Sequence, residues 1–127
     1  MSEGTMKGRI LVVDDEVSIL TITGETLQSF GYNVVTASNG AEAVAIYAQQ
    51  KEKIAVILTD LSMPVMDGRA TIYALLKINP KAKIIAMSGM DEAESVAKAS
   101  TAGIKHFISK PYTAATLLKT LRGLVEA

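Results

Sequence analysis

Between Ile10 and Val125 the chain passes five times from a short apolar run to a segment whose apolar residues recur at three- and four-residue spacing. This alternation narrows the fold sharply. A strand buried on both faces reads as a continuous apolar run, and parallel strands need a long return connection, usually a helix. The runs are Ile10-Leu11-Val12-Val13, Asn33 to Ala37, Ile54 to Asp60, Ile84-Ile85-Ala86-Met87 and Phe107-Ile108-Ser109. Together they predict one alternating α/β domain.

The segments between them carry helix punctuation. Val17 to Phe30 places Leu20, Thr23, Leu27 and Phe30 on one stripe and stops at Gly31. Ser38-Asn39-Gly40 opens a helix through about Gln50 with Val44, Tyr47 and Ala48 inward. Gly68 to Ile78 forms a third, ended by Asn79-Pro80 because the residue before a proline is pushed out of the α region. Asp91 to Thr101 has one large apolar residue, Val96, so this helix buries little and is expected to be loosely held; Gly103 ends it. Thr113 to Val125 closes the chain with Leu117, Leu121 and Leu124 inward.

With 127 residues and 49% hydrophobic content, there is material for one well-filled core. Residues 1–8 are polar and aperiodic and read as a leader or linker stub, leaving residues 9–127 as the domain. Thirteen basic and thirteen acidic side chains give zero net charge, so nothing points to nucleic acid or an anionic membrane as partner. There is no cysteine, which excludes disulfides, thiolate metal sites and cysteine nucleophiles. No apolar run is long enough to span a bilayer and no signal-peptide core is present, so the expected location is cytoplasmic.

Polar residues concentrate where the apolar runs end. The first run leads into Asp14-Asp15-Glu16, the third ends in Asp60, the fourth leads into Ser88-Gly89 and the last into Lys110-Pro111. In an open parallel sheet these ends share one rim, where ligands bind. Each residue alone has a plainer reading: a loop carboxylate, a helix-capping Ser88, a surface Lys110. In combination they are complementary. Crowded carboxylates repel unless a cation joins them, and an all-oxygen set suits Mg²⁺ or Mn²⁺. Lys110, the Ser88 hydroxyl and backbone amides are groups that hold a phosphoryl anion. A metal beside an anion cradle indicates phosphoryl transfer.

From Arg9 to Val125 the sequence closely resembles the CheY-like receiver domains of bacterial two-component response regulators. The resemblance lies in Val12-Val13-Asp14-Asp15-Glu16, Thr59-Asp60 with Met63-Pro64 and Met66-Asp67-Gly68, Ser88-Gly89 and Lys110-Pro111, all in order. It implies a three-layer, flavodoxin-like doubly wound (βα)5 fold with a five-stranded parallel sheet in the order 2-1-3-4-5. It also implies that Asp60 is a phosphoacceptor taking a phosphoryl group from a phosphohistidine. Asp15 and Asp60 would bind Mg²⁺ directly, Asp14 largely through water, and Ser62 by its backbone carbonyl. Ser88, Gly89 and Lys110 would hold the phosphoryl group, Ser88 and Phe107 would move together as a switch, and Pro111 would follow a cis peptide bond. The readout face would be the helix over 91–101 with the last strand and last helix. Two features depart from the commonest pattern. Ser62 and Met90 fall where the family varies and where water access to the phosphoryl group is controlled, and Phe107 lacks the hydroxyl of the tyrosine often found there.

The implied partners are a histidine kinase or histidine phosphotransfer protein, with the domain itself a monomer or weak dimer. Thr59 to Pro80 looks particularly like receivers of hybrid sensor histidine kinases; a free-standing single-domain regulator is the alternative. A receiver acting only as a protein-binding module would typically lose the acidic pair, the acceptor or the lysine, and all are present. A haloacid-dehalogenase-like phosphatase needs a second acid where Ser62 stands, and a dinucleotide-binding fold needs glycines where Asp14-Asp15-Glu16 stands. These two are disfavoured.

Overall fold

The computed structural model describes residues 8–61, 68–89, 100 and 103–125. Five strands, β1 (Arg9–Val13), β2 (Asn33–Ala37), β3 (Ile54–Asp60), β4 (Ile84–Ser88) and β5 (His106–Ser109), form one sheet in the order β2-β1-β3-β4-β5. Every pairing is parallel. The described residues include four helices: α1 (Val17–Ser29), α2 (Gly40–Gln50), α3 (Gly68–Ile78) and α4 (Ala114–Val125). The expected doubly wound fold is the observed one. The helix expected over 91–101 lies almost wholly outside the described residues; Gly103 after it has φ +116° and donates its N–H to the Ser100 carbonyl at 3.0 Å.

Strand alternation splits the core into two layers. Leu11, Val13, Ile57, Ile84 and Ala86 point to one face, where Ala43 and Tyr47 of α2 and Ile72 and Leu75 of α3 cover them. Ile10, Val12, Val56, Leu58, Ile85 and Met87 point to the other, under Leu20 and Leu27 of α1 and Leu117, Leu121 and Leu124 of α4. Because β3 is central and covered on both sides, truncating Leu58 to alanine would cost about 2–5 kcal/mol.

The helix ends follow local chemistry. Asn39 caps α2 by accepting the Glu42 N–H at 2.8 Å, while the Glu42 carboxylate reaches back to the Ser38 N–H. Gly31 ends α1 at φ +95°, a conformation that a Cβ would strain. The Thr113 hydroxyl accepts the Thr116 N–H at 3.1 Å and starts α4 one residue later than expected. Two stripe assignments are corrected. Phe30 is 45% exposed because α1 has already ended at Ser29, and Ala48 is exposed while Ala43 takes the inward place in α2. The inward stripe of α1 ends at Leu27.

Candidate functional site

Register brings the acidic groups together. Val13 at the end of β1 pairs with Thr59 of β3, so the next residues, Asp14 and Asp60, emerge side by side. Asp14 is fixed by its N–H, which donates to the Ala37 carbonyl at 3.1 Å, and its Oδ1 accepts the Glu16 N–H at 3.0 Å where α1 begins. The Asp14, Asp15 and Asp60 carboxylates each offer an oxygen within 4.8 Å of the others. Asp14 is fully buried and Asp60 is 2% exposed, whereas Asp15 faces solvent.

Lys110 closes the site from the far side of β4. Its N–H donates to the Ser88 carbonyl at 2.7 Å, and its Nζ lies 3.1 Å from Asp60 Oδ2 and 3.2 Å from Asp14 Oδ2. One ammonium thus bridges two buried carboxylates. Burial, assisted by the Asp60 charge, holds the Asp14 carboxyl above its ordinary value against the opposing pull of the Glu16 N–H and of Lys110. Burial alone would depress Lys110, but its bonds and charge attraction to Asp60 and Asp14 outweigh that and raise it. For Asp14, burial thus outweighs what the Glu16 N–H and Lys110 return.

That shortfall is what a divalent cation would relieve. The donor set is all oxygen, the chain has no cysteine, and its one histidine, His106, stands at the start of β5 and so at the opposite edge of the sheet. These are the ligands of a hard ion such as Mg²⁺. Asp14, Asp15 and Asp60 fit the expected site; Ser62, the fourth expected ligand, lies outside the described residues, as does Met90.

Of the remaining expected groups, Ser88 and Gly89 also stand at this rim, while Phe107 lies earlier in β5. Ser88 is the buried last residue of β4, one position beyond Met87, the register partner of Asp60, and Gly89 follows it. Phe107 pairs with Ala86 and is half-buried against the α2–α3 layer. The Lys110–Pro111 peptide bond is cis, as expected.

Sequence reading missed one contact here. The Tyr112 hydroxyl lies 2.8 Å from that of Thr23, across from the middle of α1. A signal existed: Thr23 is a polar residue on an inward stripe, and a buried hydroxyl needs a partner. Beside this contact a cleft of about 410 Å³, walled by Ile19, Ile22, Pro111 and Tyr112, opens next to Lys110. Val17 and Ile22 continue its apolar character onto the exposed surface of α1.

Comparison with known proteins gives a consistent result. The sequence model of the response regulator receiver domain matches residues 10–122. The chain is 37% identical over 117 residues to the chemotaxis protein CheY of Thermotoga maritima, covering 91% of this chain and 96% of that protein. It is 38% identical over 113 residues to the transcriptional regulatory protein ZraR of Salmonella typhimurium, covering 88% of this chain but 25% of that one. Among solved structures, it superimposes on a chain of the CheX-CheY-BeF3-Mg+2 complex from Borrelia burgdorferi with a TM-score of 0.85 and 29% identity, covering 91% and 87% of the two chains.

Proposed function

This chain belongs to the response regulator receiver domain family, and from that premise we propose that Asp60 is the phosphoacceptor of a two-component relay. Receiver domains are phosphoacceptor signalling domains rather than turnover enzymes. The observation that carries the assignment is the position of Asp60: a nearly buried carboxylate at the end of the central strand, bonded to a lysine and flanked by two further carboxylates.

In the proposed step a carboxylate oxygen of Asp60 attacks the phosphorus of a phosphohistidine. The P–O bond forms as the P–N bond breaks, and the electron pair returns to the imidazole nitrogen, which takes up a proton. Lys110 follows the negative charge from the Asp60 carboxylate onto the phosphoryl oxygens, and the Gly89 N–H and Ser88 hydroxyl border the same space. Mg²⁺, held by Asp14, Asp15, Asp60 and the Ser62 carbonyl, would neutralise phosphoryl charge when bound. Being buried on β3, Asp60 is shielded from competing water on the sheet side.

The donor is a histidine kinase or histidine phosphotransfer protein, and the apolar surface of Val17 and Ile22 beside the site supports a protein donor. The CheX-CheY complex offers a precedent for a protein partner of a relative. We assign the signal to Ser88 and Phe107. Once the Ser88 hydroxyl turns to a phosphoryl oxygen, Phe107, already half-buried, moves further inward and alters the face formed by residues 91–101, β5 and α4. One charge-assisted hydrogen bond supplies about 1.5–3 kcal/mol, enough to shift such populations without locking them.

The likeness of Thr59 to Pro80 supports a place in a hybrid sensor histidine kinase, on the cytoplasmic side of the membrane. Among the described residues no helix is long and apolar enough to cross a membrane. The second reading is a free-standing regulator. Sequencing the gene on either side separates the two. Phosphoacceptance is tested by intact-mass spectrometry after treatment with Mg²⁺ and a small-molecule phosphodonor: one phosphate adduct in the parent and none in Asp60→Asn. Equal adducts in both would refute the assignment.

A further inference from the structure

Lys110 must meet two demands at once: it balances Asp14 and Asp60 in the resting site and, on the reading above, follows the phosphoryl group during transfer. Its ammonium sits on a long flexible stem, so its aim depends on how firmly the backbone of the turn is held. On the β4 side that backbone is pinned by the 2.7 Å bond from the Lys110 N–H to the Ser88 carbonyl. On the α1 side the nearest anchor is two residues on, the 2.8 Å bond between the Tyr112 and Thr23 hydroxyls.

These contacts form a closed circuit. Asp14 Oδ1 holds the first turn of α1 through the Glu16 N–H, α1 carries Thr23, Thr23 holds Tyr112, Tyr112 fixes the Lys110 turn, and Lys110 Nζ returns to Asp14 Oδ2. Thr23 is 3% exposed, so its hydroxyl is committed within the fold. A phenylalanine at position 112 would fill the same space against the α1–α4 layer but leave the circuit open.

We propose that Tyr112 and Thr23 are positioning residues for phosphoryl transfer: their hydroxyl pair fixes the turn that aims Lys110 at Asp60 and ties that aim to α1. The proposal rests on Asp60 being the phosphoacceptor. Because Lys110 acts on charge that develops during transfer, opening the circuit lowers the maximal rate of phosphorylation and leaves half-saturation by the donor in place.

The test uses the whole chain with Mg²⁺ and acetyl phosphate, a donor too small to depend on docking at α1, and follows phosphorylation of Asp60 by mass. Tyr112→Phe and Thr23→Val each lower the maximal rate about 5- to 20-fold with little change in the half-saturating donor concentration. The double variant is no slower than either single one, since both remove the same bond. Thr23→Ser, which keeps the hydroxyl, restores most of the parental rate. Melting temperatures within about 2 °C of the parent exclude loss of fold as the cause. Parental rates in Tyr112→Phe and Thr23→Val, or losses that multiply in the double variant, overturn the proposal while Asp60 phosphorylation stands. A parent that takes no phosphate overturns the underlying assignment and this proposal with it.

Discussion

At the edge of the sheet where strands begin, polar side chains bond one to one, the buried Arg9 Nε excepted. Lys83 Nζ donates to the Leu124 carbonyl at the end of α4 at 2.8 Å, Arg9 donates to the Gln50 side chain at 2.9 Å, and Asn79 donates to the Tyr47 hydroxyl at 3.0 Å. At the edge where strands end, three carboxylates converge and one ammonium answers two of them. Both edges belong to one sheet with one core on each face. The first uses polar groups to close the fold, satisfying helix carbonyls and loop amides. The second crowds like charges and buries Asp14 at a net penalty, which costs stability in the resting protein and makes sense where a cation and a phosphoryl group are to be received.

The comparison breaks most readily at Lys110. Lys110→Met keeps the stem and removes the charge, leaving Asp14 and Asp60 facing each other. Discounted for the partly solvated ammonium and for protonation of Asp14, the expected loss is about 1–3 kcal/mol by urea denaturation at neutral pH without metal. Mg²⁺ recovers much of it. A variant as stable as the parent would show that Lys110 does not offset the buried carboxylates.

Asp14→Asn works in the opposite direction. The amide oxygen still accepts the Glu16 N–H, the amide nitrogen takes the place of the oxygen that met Lys110, and the costly buried charge is gone. The metal-free variant gains about 1 kcal/mol, seen as a rise of a few degrees in melting temperature, and responds less to Mg²⁺. Asp15→Asn gains less, because Asp15 is exposed.

The same gain has a pH signature. Asp14 holds its proton more tightly folded than unfolded, so its contribution is complete below the ordinary aspartate value and is lost as pH rises through the higher folded value. The advantage of Asp14→Asn is therefore full above the raised folded value and shrinks toward zero as pH falls below about 4. Lys110, also raised, contributes stability below the ordinary lysine value that is lost as pH rises through its folded value. A melting-temperature difference between parent and Asp14→Asn that stays constant from pH 7 to pH 4 would contradict the burial argument.

The smallest effect belongs to the paired edge. Lys83→Ala removes one bond to a helix end and costs about 0.5–1 kcal/mol, with the Mg²⁺ response and phosphate uptake unchanged. If it altered the Mg²⁺ response as much as Asp14→Asn does, the two edges would not be functionally separate.

What was legible in the sequence follows from how local each signal is. Strands β2 and β3 and helix α3 match their expected bounds, because continuous apolar runs, a proline and glycines mark them residue by residue. Asp14, Asp15, Asp60 and Lys110 were legible as one site because a parallel sheet gathers strand ends whatever the details of packing. Other features depended on tertiary arrangement. Periodicity does not say where a helix turns away from the core, so Phe30 and Ala48 were misplaced. Nor does it say which of two adjacent aspartates is buried: Asp14 is held under Lys110 while Asp15 points out. The bond between Thr23 and Tyr112 joins residues 89 positions apart and has no local signature beyond a polar residue on an inward stripe.

The bonds at the paired edge have one further consequence, for how such a unit is joined to others. The Gly8 carbonyl accepts the Asn33 N–H at the start of β2, and the Leu124 carbonyl accepts from Lys83 just before β4. The polypeptide thus enters β1 and leaves α4 on the same side of the sheet, opposite Asp60. A segment joined through either end would therefore set out from the side of the sheet away from Asp60.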